Sequence, residues 1–117
     1  MPTLKIDGTI QFPLADEATL SSRPYSAELV YGERNVDDVV LVGAQADIDL
    51  MGRIVNAKAC FIEAITGDGD LKVNGSTPVL PLSSISGFWI YFNPNGGLSA
   101  LTVTTSANAS FRVYMFT

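Results

Sequence analysis

The sequence predicts an all-β protein: an antiparallel β-sandwich, jelly-roll-like, of eight to ten short strands in one domain over residues 1–117. Three observations carry this expectation. Apolar and polar residues alternate with period two through much of the chain, the signature of half-buried strands. Turn formers such as Asp7-Gly8, Asn74-Gly75 and Asn95-Gly96-Gly97 punctuate the alternation at short intervals. The chain has 117 residues, 47% of them hydrophobic, enough for one buried core without disulfides or a structural metal.

Leu4 and Ile6 alternate with Lys5 and Asp7, and Ile10 and Phe12 flank Gln11, which reads as two short strands around an Asp7-Gly8 turn. Pro13 closes them, and the segment 14–24 reads as a loop. "YSAELVY" places Tyr25, Ala27, Leu29 and Tyr31 on one face of a strand, and "VDDVVLVG" is another strand after a turn at 32–35. Between Ala44 and Arg53 two readings stand: a short helix, or a strand with a turn. Apolar residues fall at helical spacing, but Gly52 interrupts them at a cost of about 1 kcal/mol in a helix. Further strands are expected over 56–66, 71–73, 78–82, 88–92, 98–105 and 110–116.

Composition excludes several function classes. The chain has no histidine, which removes the usual general base and the commonest metal ligand. Its single cysteine, Cys60, excludes an intrachain disulfide and reads as a small buried hydrophobe. A net charge of −5 without a basic cluster argues against nucleic-acid binding. No apolar run reaches membrane-spanning length, and the first residues lack a secretory h-region. The expectation is a protein that is not an enzyme, carries no cofactor or metal, and contacts neither nucleic acid nor membrane.

Charge is distributed unevenly. Residues 61–117 hold only Glu63, Asp68, Asp70, Lys72 and Arg112, and no charge falls from Val73 to Phe111. Depletion of charge marks the cores of protein interfaces. In "FWIYF" and "SFRVYMF" both faces are large and mostly apolar, so one face of each strand is left over once the other forms the core. The expected assembly interface is Trp89, Tyr91, Arg112, Tyr114 and Phe116, aromatics with an arginine being the residue types that anchor interfaces.

Three site patterns fare poorly. "GDGDLKVNG" resembles a calcium loop, but with Asp68 at position 1 an EF-type loop meets Lys72 at position 5, Val73 at 6 and Val79 at 12. It reads instead as turns around a very short strand. The acidic pairs Asp16-Glu17 and Asp37-Asp38 point to opposite faces if extended, and Asp47 and Asp49 have no neighbour that would raise a pKa. "PNGG" lacks the lysine and helix of a phosphate cradle. Trp89 with the tyrosines is compatible with a sugar-stacking platform, the alternative function.

In "CFIEAITGDGDLKVNG" and "VLPLSSISGFWIYFNPNGGLSALTVTTSANASFRVYMF" the order of strands and turns resembles small all-β virion proteins of tailed bacteriophages, of the head-decoration, cement or fibre-anchoring type. The resemblance covers residues 58–116. It implies a homo-oligomer on a capsid or tail lattice, a virion location after synthesis in the host cytoplasm, and no catalytic residues.

Overall fold

The computed structural model describes residues 2–13, 20–75, 79–84 and 87–117. These are all-β, in ten strands joined only by antiparallel pairings. They divide into two compact units, Met1–Tyr31 and Gly32–Thr117.

The first unit is a hairpin of β1 (Thr3–Pro13) and β2 (Leu20–Val30), paired along their whole length from Thr3↔Val30 to Pro13↔Leu20. Leu4 lies opposite Leu29 and Ile6 opposite Ala27, so one face is apolar; Lys5 opposite Glu28 and Asp7 opposite Ser26 form the other. The expected turn at Asp7-Gly8 is absent. Leu4, Ile6, Gly8, Ile10 and Phe12 keep one parity throughout, and Gly8 continues the ladder opposite Tyr25. The expectation of a loop over 14–24 is corrected at residues 20–24, which belong to β2; residues 14–19, including Asp16 and Glu17, lie outside the described residues.

The second unit holds β3 (Arg34–Leu41), β4 (Gln45–Asp49), β5 (Ala59–Thr66), β6 (Asp68–Val73), β7 (Leu80–Ser83), β8 (Phe88–Phe92), β9 (Leu101–Thr105) and β10 (Ala109–Phe116). They form two four-stranded sheets packed as a sandwich, ordered β3-β10-β5-β8 and β4-β9-β6-β7. The pairing is nested: β3 with β10, β4 with β9, β5 with β8, β6 with β7. The first strand of the unit therefore meets the last, the second meets the second-last, and so inward. Two further pairings, β10 with β5 and β9 with β6, join neighbouring turns of this rolled ribbon.

The core lies between the sheets. Cys60, Ile62, Ala64, Phe111, Val113 and Met115 enter from one side, and Leu71, Leu82, Leu101 and Val103 from the other. Gly69 belongs here. It is an inward-facing strand residue, and a Cβ on it would meet Val103 Cγ2 at 2.6 Å and the Phe111 ring at 2.8 Å. Thus "GDGDLKVNG" holds a six-residue strand from Asp68 to Val73; only Gly67, at φ +70, makes the turn before it. The expected turn over Gly67, Asp68 and Gly69 is kept only at Gly67, and the strand expected over 71–73 begins earlier, because Gly69 faces inward and makes room for Phe111.

Residues 44–53 resolve to a strand and a turn. After β4, Asp49 Oδ1 accepts from Met51 N–H at 2.9 Å, Ile54 N–H donates to the Met51 carbonyl at 3.0 Å, and Gly52 takes φ +60. Leu50, Met51, Ile54 and Ala57 are buried together in the core cluster, so apolar residues at near-helical spacing lie on an irregular segment.

Candidate interaction surface

The β5–β8 register decides which face of β8 is buried. Cys60, Ile62 and Ala64 face the core, and Tyr91 stands opposite Cys60 and Trp89 opposite Ile62. Trp89 and Tyr91 therefore pack against the core, their ring centroids 6.2 Å apart. The Tyr91 hydroxyl donates to the Gly96 carbonyl at 3.1 Å. This reverses the expected assignment, in which these two rings were to be outward. "FWIYF" is apolar at both parities, so its own pattern holds no signal; the phase comes from β5. Phe116 is also corrected: it shares the parity of Arg112 and Tyr114 but is buried, opposite Ala59.

Of the five expected interface residues, Arg112 and Tyr114 remain on the outer face of the β3-β10-β5-β8 sheet. There the register aligns two rows across all four strands. One row is Val36, Tyr114, Phe61 and Ile90. The other is Asp38, Arg112, Glu63 and Phe88. Phe61 is the centre of an aromatic cluster, its ring centroid 5.7 Å from both Phe88 and Tyr114. Phe88 is 59% exposed, Val36 43% and Ile90 40%. Arg112 Nε donates to Asp38 Oδ1 at 2.8 Å across β10 and β3. Asp38 foremost, then Tyr114, raises the Arg112 pKa, so the guanidinium holds its charge beside the rings. Phe61, Phe88 and Ile90 were missed by sequence reasoning; the parity of "CFIEAI", with its even positions buried, is the signal that locates them.

Elsewhere polar groups serve the fold. Asn74, at φ +52, donates to the Gly97 carbonyl at 2.9 Å and accepts from Ser99 N–H at 2.9 Å and Ala100 N–H at 3.1 Å. Asn56 Oδ1 accepts from Gly97 N–H at 2.7 Å. "PNGG" is thus a loop pinned by two asparagines and Tyr91. Asp47 pairs with Lys72 at 3.5 Å while Asp49 holds the turn, so the two carboxylates have separate partners. Asp68 and Asp70 line a shallow depression with Gly69, Thr104, Thr105 and Ser106. Among the described residues no three His, Cys, Asp or Glu side chains gather as metal ligands. Cys60 is buried, and burial pushes its thiol pKa up to about 12, far from a reactive thiolate. No helix of the described residues is long and apolar enough to cross a membrane.

No protein-family model, curated protein or solved structure matches this chain.

Proposed function

We propose that this protein is a structural subunit of a tailed-bacteriophage particle, which decorates or stabilises the particle by packing against copies of itself and other virion proteins. The observation that carries this reading is the outer face of the β3-β10-β5-β8 sheet. Phe61, stacked on Phe88 and tilted against Tyr114, lies with them and with Val36 and Ile90 on a solvent-facing surface where lysine and glutamate are the usual occupants. Aromatic anchors bordered by an arginine have the composition of interface hot spots. The nested strand order also supports the reading. Eight strands paired first with last and rolled into two sheets fit a jelly roll, an architecture found among capsid domains and lectins alike.

The lectin comparison gives the second reading a footing. Exposed rings beside the hydrogen-bonding groups of Arg112, Asp38 and Glu63 suit a pyranose face, with Phe88 replacing Trp89 as the platform.

Tyr114→Glu separates these outcomes. The new carboxylate sits on the face of Arg112, two residues along the strand, so the fold tolerates it. Wild-type protein is expected to cosediment with particle shells lacking it, and the variant to lose this while its melting curve holds. A wild-type protein that binds no shell or tail protein overturns the reading. Ring-dependent binding on a glycan array would replace it with the second.

A further inference from the structure

A two-sheet sandwich has four edges, each presenting unpaired backbone groups to any strand that approaches; natural sheets guard such edges with charge, proline or irregularity. Three edges here are guarded. β3 carries Arg34, Asp37 and Asp38. β4 carries Asp47 and Asp49, with Asp47 at φ +49 and a register shift between Gln45 and Ile48. β7 carries Pro81. β8, "FWIYF", has no charge, no proline and no irregularity in its pairing with β5, and among the described residues no strand pairs with its second edge.

The backbone at this open edge has a definite phase. Asn93 N–H donates to the Lys58 carbonyl at 2.7 Å, and Ala64 N–H to the Gly87 carbonyl at 2.9 Å. Bond-exchanging residues recur at every second pair of an antiparallel ladder. Residues 87, 89, 91 and 93 therefore bond toward β5. Phe88, Ile90 and Phe92 direct their N–H and C=O groups outward.

The strand is also near-palindromic about Ile90: phenylalanine at both ends, Trp89 and Tyr91 between. We propose that β8 is a homotypic docking edge, pairing antiparallel with β8 of a second copy about a twofold axis at Ile90. Ile90 then exchanges both bonds with the partner's Ile90, and Phe88 with the partner's Phe92. Each residue that meets its counterpart has its backbone groups already aimed across the edge. On the core-facing side, Trp89 meets the partner's Tyr91, an aromatic pair of the favoured cross-strand kind.

Charge permits the match. The outer-face row of Glu63 and Phe88 runs on into the partner's Phe92 and Ala59, so the two Glu63 carboxylates stay out of register. The row of Val36, Tyr114, Phe61 and Ile90 continues into its own mirror, which joins two aromatic faces into one. A five-residue edge buries less than the roughly 800 Å² per partner of a standard interface. The contact therefore suits a weak, concentration-dependent dimer, with Kd on the order of 10–100 μM. This deepens the assembly reading by naming the partner at one edge, but its test needs no particle.

The test is sedimentation velocity of the full chain with Ile90→Pro. Proline at 90 removes only the outward N–H, so the β5–β8 ladder stays intact, and edge strands tolerate it on that side. Wild type is expected to dimerise over about 10–500 μM and Ile90→Pro to remain monomeric, with the same far-UV circular dichroism and melting temperature. Ile90→Cys gives a second readout. Bond-exchanging antiparallel residues lie about 5.5 Å apart at Cα, within disulfide range, and buried Cys60 offers no competing thiol. Mild oxidation is expected to yield a covalent dimer from Ile90→Cys and none from Val40→Cys on β3. A wild type that stays monomeric, or a dimer that survives Ile90→Pro without Ile90→Cys crosslinking, overturns the proposal. Tyr114→Glu keeps the β8 dimer, so loss of particle binding and loss of this edge are told apart.

Discussion

Trp89 and Phe88 are adjacent, both large and both aromatic, yet their energetic roles differ because adjacent strand residues face opposite ways. Trp89 packs against the core cluster and Phe88 is mostly in solvent. Trp89→Ala is expected to cost about 3 kcal/mol and Phe88→Ala under about 1 kcal/mol, measured by urea denaturation with m unchanged. Equal losses would show the face assignment to be wrong. Cys60 gives a second residue-scale test. Burial raises its folded pKa to about 12, above that of a thiol in water. A raised folded pKa contributes stability that is present below the unfolded pKa and lost as pH climbs toward the folded one. The difference in melting temperature between wild type and Cys60→Ala should hold steady below pH 9 and shrink between 9 and 12, in favour of the variant. A flat difference across that window would mean the thiol is not held neutral.

Among the elements, those bounded by strong turns were legible. β8 stood between "SSISG" and "NPNGG" and was found to the residue; β10 was found to within one residue at its start. β1 was misread because Asp7-Gly8 is a turn signal locally, while the ladder with β2 is fixed by nine other pairs. Propensity is a weak local term, and a long ladder outweighs it. β4 and the turn after it stayed open for a related reason: Leu50, Met51 and Ile54 are apolar because they enter the core from a loop, a role that no secondary-structure period encodes. The face of "FWIYF" was not legible at all. Its inward and outward residues are chemically alike, and only pairing with β5 distinguishes them. The same likeness suits it to a homotypic edge.

For the whole molecule, the sequence reading placed residues 1–117 in one sandwich. Both sheets of the sandwich and its core cluster lie within residues 32–117, and among the described residues β1 and β2 form a two-stranded sheet of their own. A protein beginning at Gly32 is expected to fold and unfold cooperatively, with a melting temperature within a few degrees of the full chain. Loss of near-UV circular dichroism in that truncation would show that the sandwich depends on the hairpin. The hairpin alone is expected to be unstructured in water, as two-stranded ribbons generally are. The apolar patch on the outer sheet face is not the one expected: Trp89, Tyr91 and Phe116 turn inward, and Phe61, Phe88 and Ile90 lie outward with Tyr114. That apolar surface is left over on "FWIYF" and "SFRVYMF" was legible from composition, but which rings form it required the register.

The nested pairing has a mechanical side. Gly32 N–H donates to the Thr117 carbonyl at 2.8 Å, so the sandwich begins and ends at one point, with β3 and β10 running away from it together. Antiparallel ladder bonds lie across the strands. Tension applied through residues 32 and 117 would load those bonds one after another, opening β3 from β10 as a zipper opens, at low force. Tension applied along β8, through a paired copy, would instead load every bond of that edge at once, in shear. The same small domain is therefore weak to pulling at its ends and strong along the edge by which we expect it to be held.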